Sequence, residues 1–130
     1  MSLAGDEKSS ENDDWVLVDE GDLRGVGLIV DKNTGEAISL STRSCRDEDR
    51  WETVPDLKSF KFLEVLDLNK SRYITEFDAS VCYGPSVKKL FLTRCDRLRT
   101  ISTSIGLLEN LVEVCSSLDF SLGNHECMHA

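Results

Sequence analysis

Histidine and proline are scarce in this chain of 130 residues, which has two of each. Both histidines, His125 and His129, fall within the last six residues, so the rest of the chain has no imidazole base for a serine or cysteine nucleophile. Gly25 and Gly27 lack the third glycine and the following helix of a dinucleotide-binding loop. No pair of carboxylates stands out from the acidic runs. We therefore expect a protein that is not an enzyme and needs no cofactor.

Basic charge is also in deficit, because 15 lysines and arginines face 24 aspartates and glutamates, for a net charge of −9. Residues 1–22 hold eight acidic residues and one lysine, which is −7 of that total and leaves −2 for residues 23–130. No cluster of positive charge predicts nucleic-acid binding. No long apolar run predicts a secretory signal or a membrane span. We expect a cytoplasmic protein, with the nucleus as an open alternative and with its five widely spaced cysteines reduced. Nothing in the sequence indicates an oligomeric state.

A repeat of about 24 residues organises the chain between Leu63 and Asn110. In each unit two leucines, in alternate positions, point one side of a short strand inward. Because equivalent residues at a constant period stack in register, the repeat predicts three parallel strands, at Glu64–Leu68, Lys88–Leu92 and Leu111–Cys115. The aligned apolar positions are Leu63, Val87 and Leu111; Leu66, Leu90 and Val114; Leu68 and Leu92; Ile74 and Leu98; Phe77 and Ile101; and Val81 and Ile105.

The second half of each unit returns on the other side, where Ser104–Leu111 predicts a short, irregular helix. Ser71 and Cys95 take the position of a small polar side chain that satisfies turned backbone groups. The run LxxLxLxxCxxLxxIxxSIGxLxxL from Val87 to Leu111 resembles the leucine-rich repeats, most closely the intracellular type of plant disease-resistance receptors and related signalling scaffolds. Two departures are that Ile101-Ser102 replaces the usual proline and that only two full and two partial repeats are present.

This resemblance implies an α/β fold: a short leucine-rich-repeat solenoid with one parallel strand per repeat, an irregular helical convex side and an N-terminal hairpin cap. It also implies a protein-protein interaction module for signalling or immune recognition, as in plant defence, with a protein partner of unknown identity on the concave strand face. Phe91 would be an apolar anchor with a charged rim; alternatively, it only covers the strand edge beside Val65. The outward positions of the two full repeats are Val65, Asp67, Asn69, Lys70, Lys89, Phe91, Thr93 and Arg94.

The pattern divides the chain into four parts. Residues 1–14 predict a disordered acidic arm, and residues 15–50 predict the cap, with a hairpin over 25–42 and a degenerate first repeat. In that first repeat Ile38 and Leu40 align with Leu66 and Leu68, which makes this unit slightly longer than the next. Residues 51–122 hold the repeats. Residues 123–130 form a tail that is either a polar cap or the end of a shortened array, with too few ligands for a structural zinc site.

A short acidic segment around Trp15 carries a second hypothesis. Asp13, Asp14, Trp15 and Val18 resemble the linear motif by which autophagy receptors add a strand to ubiquitin-like modifiers, with an aromatic and an aliphatic side chain three apart beside acids. The chain would then be an adaptor that acts through this motif, with the repeats as scaffold. The alternative is that Trp15–Val18 is simply the first strand of the cap. Both remain open at the level of sequence.

Overall fold

The computed structural model describes residues 13–116 and 128–129, and it is built on a mixed sheet with a parallel centre and on short 3₁₀ turns. The strands in chain order are β1 (Asp13–Leu17), β2 (Gly27–Asp31), β3 (Ala37–Ser41), β4 (Val65–Asp67), β5 (Glu76–Phe77), β6 (Lys89–Leu92), β7 (Thr100–Ile101), β8 (Glu113–Ser116) and β9 (Met128–His129). Seven of them form the main sheet, in the spatial order β9-β8-β6-β4-β3-β2-β1. The other two, β5 and β7, form a small second sheet.

The centre of the main sheet is a parallel ladder, in which β4 pairs with β6 and β6 pairs with β8. Leu66, Leu90 and Val114 lie side by side across these three strands. Their spacing along the chain equals the period of the repeat, so the predicted pairing and register are confirmed. The strand predicted at Leu111–Cys115 starts and ends slightly later, at Glu113–Ser116.

The register of β3, the strand of the degenerate first repeat, differs from the predicted one. Leu40 on β3 pairs with Leu66 on β4, and not with Leu68. The inward position opposite Leu68 is filled by Thr42, which is 3% exposed. Thr42 keeps its hydroxyl satisfied because its Oγ1 lies 3.1 Å from the Oγ of Ser71. The predicted register was wrong because the alternation of apolar residues does not count a buried threonine, which here occupies the place of a core leucine.

At the other end of the sheet, β2 and β3 form an antiparallel hairpin, and β1 adds to it antiparallel. Strand β1 begins at Asp13, within the segment predicted as a disordered arm. The rest of that arm, at 1–12, lies outside the described residues, as do 117–127 and residue 130, which hold most of the predicted tail. The indole Nε1 of Trp51 donates to the carbonyl oxygen of Asp22 at 2.9 Å. This bond ties the turn between β1 and β2 to the loop that follows β3.

The side of the chain opposite the main sheet is made of short extended and 3₁₀ segments. Strands β5 and β7 are parallel, with Phe77 beside Ile101 as the repeat predicts. The helix expected at Ser104–Leu111 is a 3₁₀ turn over Thr103–Leu107, and the described residues contain no α-helix. The expectation of a helical convex side is therefore corrected to 3₁₀ turns. The four other 3₁₀ turns of the described residues are Gly21–Leu23, Asp47–Asp49, Ala79–Val81 and Gly84–Ser86.

The hydrophobic core lies between the two sheets and runs the length of the ladder. Burying each large apolar side chain stabilises the fold by about 1.5–3 kcal/mol before ordering entropy is counted. Among the described residues, no helix has the length and apolarity to cross a membrane. The fully buried large side chains are Val26, Leu40, Leu57, Leu63, Leu66, Leu68, Ile74, Phe77, Val87, Leu90 and Leu92.

Small polar side chains close the turn after each inner strand. Ser71 and Cys95 are 2% and 3% exposed, and the Sγ of Cys95 donates to the carbonyl oxygen of Leu68 at 3.2 Å. Burial is the main cause that raises the pKa of Cys95 to about 11, so this thiol stays protonated near neutral pH. Cys45 and Cys82 are likewise buried and free. Cys115, in contrast, is disulfide-bonded, which departs from the expectation that all five cysteines are reduced.

Candidate partner-binding face

The eight predicted contact residues all lie on β4 and β6 or in the turns that directly follow these strands. Because side chains alternate along a strand, the burial of Leu66 and Leu90 directs their neighbours to the opposite, solvent side of the main sheet. On that side Val65 pairs in register with Lys89, and Asp67 with Phe91. We call this set the strand face; its members are Val65, Asp67, Asn69, Lys70, Lys89, Phe91, Thr93 and Arg94.

Three polar residues of the strand face are held by hydrogen bonds within the chain. The Oδ1 of Asn69 accepts from both the backbone N and the Oγ1 of Thr93, each at 2.7 Å. The backbone N of Asn69 donates to Asp67 at 3.0 Å. Asp67 also accepts from the Oγ of Ser41 at 3.4 Å and lies 3.9 Å from the Nε of Arg43. These contacts therefore connect β3, β4 and the turn after β6. The polar atoms of Asp67, Asn69 and Thr93 are used in hydrogen bonds that stabilise the fold.

Three cations of the strand face are exposed. Lys70, Lys89 and Arg94 form no ion pair with any residue that the structure describes. Lys70 and Arg94 both adopt the left-handed backbone conformation, with φ of 68° and 59°, at equivalent places in two successive turns. Within the described part of the chain, no acidic side chain therefore offsets the charge of these three groups through an ion pair.

Phe91 is half-buried at the middle of the strand face. Its neighbours in register are Asp67 on one side and Cys115 on the other. Val65 pairs with Lys89 and is therefore the diagonal neighbour of Phe91, within reach of an aromatic side chain. A partly exposed aromatic ring next to exposed cations can contact an apolar side chain of a partner protein and attract acidic groups that surround it.

A basic pocket of about 260 Å³ adjoins the strand face at the turns after β4 and β6. The sequence analysis assigned Lys70 and Arg94 to the face but did not single out Arg50, which lies before the first full repeat, or Arg72, which lies in the same turn as Lys70. The separation of Lys70 and Arg94 by one repeat was the available signal, since residues at equivalent turn positions must stack. We define the basic pocket by its lining residues, which are Arg50, Lys70, Arg72, Arg94 and Asp96.

The acidic segment around Trp15 forms the edge strand of the main sheet. Asp13–Leu17 is strand β1, and each of its residues pairs with β2. Val18 continues this pairing, because its N donates to the carbonyl oxygen of Val26 at 2.9 Å and its own carbonyl oxygen accepts from Gly25 at 2.8 Å. The side chain of Val18 is half-buried. In this structure the segment is therefore a paired strand at the edge of the main sheet.

Comparison with known proteins gives one informative similarity. Over 86 residues the chain is 31% identical to the disease resistance protein RPP5 of Arabidopsis thaliana, in a match that covers 63% of this chain and 6% of that protein. The chain therefore spans a small part of the length of this relative, and the match indicates a distant relation to it. No protein-family model matches the chain, and no solved structure matches it. Within the described residues, no group of three or more histidine, cysteine, aspartate or glutamate side chains could hold a metal ion.

Proposed function

We propose that the chain is a protein-binding module of leucine-rich-repeat type, in which the strand face recognises a protein partner. The observation that carries the proposal is the contrast within that face. Asp67, Asn69 and Thr93 are bonded to one another, whereas the cations around Phe91 have no ion-pair partner among the described residues. A surface with a partly exposed apolar anchor and unpaired cations is suited to a partner that brings an apolar side chain and acidic groups.

The repeat architecture is supported by the ladder of Leu66, Leu90 and Val114 at constant spacing, which is the arrangement a stack of short repeats needs. The similarity to a plant disease resistance protein supports a signalling or immune role. We further propose that the chain binds without catalysing a reaction and acts in the cytoplasm. The scarcity of histidine and the buried, protonated thiol of Cys95 support a role without covalent chemistry.

The test compares substitutions on the strand face with matched substitutions elsewhere. Phe91→Ala and Lys89→Glu remove the anchor and reverse one charge of the rim. Phe62→Ala and Lys58→Glu make the same chemical changes at exposed positions off the strand face, since Phe62 is 56% exposed. Each variant and the intact chain would capture proteins from extracts of the source organism, with folding of each variant checked by circular dichroism.

We expect a partner that the intact chain and the two control variants retain and that both strand-face variants lose. Phe91→Ala should act mainly through faster dissociation, while Lys89→Glu should slow association and change its dependence on salt. Retention of every partner by folded Phe91→Ala and Lys89→Glu protein would contradict the proposal and move the site away from the strand face.

A further inference from the structure

The fold brings two cationic side chains from successive repeats to the same pocket. The backbone N of Lys70 donates to the carbonyl oxygen of Thr93 at 2.8 Å, which places the turn after β4 against the turn after β6. Lys70 and Arg94 occupy equivalent positions in these turns and share the left-handed conformation. Both line the basic pocket. The turn after β4 therefore contributes Lys70 and Arg72 to the pocket, and the turn after β6 contributes Arg94 and Asp96.

Arg50, from the loop after β3, and Arg72, from the turn after β4, are held in place by contacts within the chain. The Nη1 of Arg50 donates to the carbonyl oxygen of Lys70 at 2.7 Å, and only 14% of the Arg50 side chain is exposed. The Nη1 of Arg72 lies 3.6 Å from Asp47, which also accepts from the hydroxyl of Tyr73 at 2.7 Å. A guanidinium has five N–H donors, so these contacts leave several on each arginine for a ligand.

The charge of the basic pocket matches a dianion. Four cations line it together with Asp96, and Asp47 lies beside Arg50 and Arg72, so four positive charges and two negative ones leave +2. A phosphate monoester carries about −1.5 to −2 at pH 7 and offers three acceptor oxygens, whereas a carboxylate carries only one charge. Arginine also matches phosphate oxygens with paired N–H donors.

The size of the basic pocket is compatible with the same ligand. Its volume of about 260 Å³ exceeds that of a phosphoryl group, which is comparable to a few water molecules at roughly 30 Å³ each. We propose that Arg50, Lys70, Arg72 and Arg94 bind a phosphoryl group carried on a phosphorylated side chain of the protein partner. The assignment of this group to a partner rests on the proposed function, while the anion site itself does not.

The test is a titration of the isotope-labelled chain with a short alanine and glycine peptide that carries one phosphoserine, followed by two-dimensional ¹H–¹⁵N NMR. The unphosphorylated serine peptide and inorganic phosphate are titrated in parallel. Arg72→Gln and Arg94→Gln each remove one charge from the basic pocket. Lys58→Gln removes one charge from an exposed lysine outside it and is the matched control.

We expect the phosphopeptide to shift the amide signals of Lys70 and Arg94 and the serine peptide to leave them unchanged. Loss of one charged donor should weaken binding about tenfold in Arg72→Gln and in Arg94→Gln, while Lys58→Gln binds as the unsubstituted chain does. Raising the salt concentration should weaken binding as well.

Absence of these shifts, or equal affinity in Arg72→Gln and Lys58→Gln protein, would overturn the site. Tighter binding of inorganic phosphate than of the phosphopeptide would overturn the assignment to a partner and give the site to a free anion. Because the titration contains no protein partner, its result is independent of whether Phe91→Ala abolishes partner binding. The two proposals can therefore fail separately.

Discussion

Truncation of Leu90 is the substitution with the most direct consequence for the core. Its side chain is 0% exposed and lies between Leu66 and Val114 in the parallel ladder, so it has neighbours in the strands on both sides. Leu90→Ala removes three carbon atoms, which costs about 2.4 kcal/mol at roughly 0.8 kcal/mol per methylene. The cavity left behind adds about 24 cal/mol per Å³, so the total falls in the range of about 2–5 kcal/mol.

That loss is a large share of the roughly 5–15 kcal/mol that stabilises a single domain. At roughly 4 °C per kcal/mol for a chain of this size, the midpoint of thermal unfolding should fall by about 8–20 °C. The assay is urea unfolding followed by circular dichroism, together with thermal melting. Leu107→Ala is the matched control, because Leu107 is 54% exposed and the chemical change is the same. If Leu90→Ala costs no more than Leu107→Ala, Leu90 does not pack in the core of the ladder and the reasoning is refuted.

Two further predictions concern the opposite side of the core. A Cβ on Gly84 would overlap the carbonyl oxygen of Leu107, whereas Gly106 has open space, so Gly84→Ala should cost about 1–3 kcal/mol and Gly106→Ala much less in urea unfolding; equal costs would refute the close approach. Burial is also the main cause that raises the pKa of Cys82 to about 12, so folding disfavours its thiolate. The unfolded thiol loses its proton first, so the stability that Cys82 contributes is complete below its unfolded pKa of about 9 and is lost between about pH 9 and 12. Cys82→Ala should make the fall of unfolding free energy with pH shallower over about pH 9–11, and an unchanged slope would contradict the burial of this thiol.

The repeat allowed the centre of the sheet to be predicted from sequence, because a constant spacing of leucines leaves one register that buries them all. Leu66 and Leu90 were placed correctly for this reason. The register of β3 was not predicted correctly, because the polar Thr42 fills an inward position and the hydrophobic pattern counts only apolar residues.

The outward positions of the strand face were predictable from the sequence, but the hydrogen bonds among its side chains were not. Alternation along a strand indicates that Asn69 and Thr93 point away from the core, yet it does not reveal that they bond to each other. Such bonds depend on side-chain distances between strands that belong to different repeats. Arg50 was missed because the loop before the first full repeat carries it to the basic pocket, and Arg72 was missed because it follows the last outward position of its repeat.

The central claim is that the strand face, and Phe91 in particular, contacts the protein partner. Photocrosslinking tests it most directly: a benzophenone amino acid replaces Phe91 in one sample and the exposed Phe62 in another, and both are irradiated with the partner bound. We expect a crosslink to the partner from position 91 and none from position 62. A crosslink from position 62 alone, in protein that still binds, would contradict the claim.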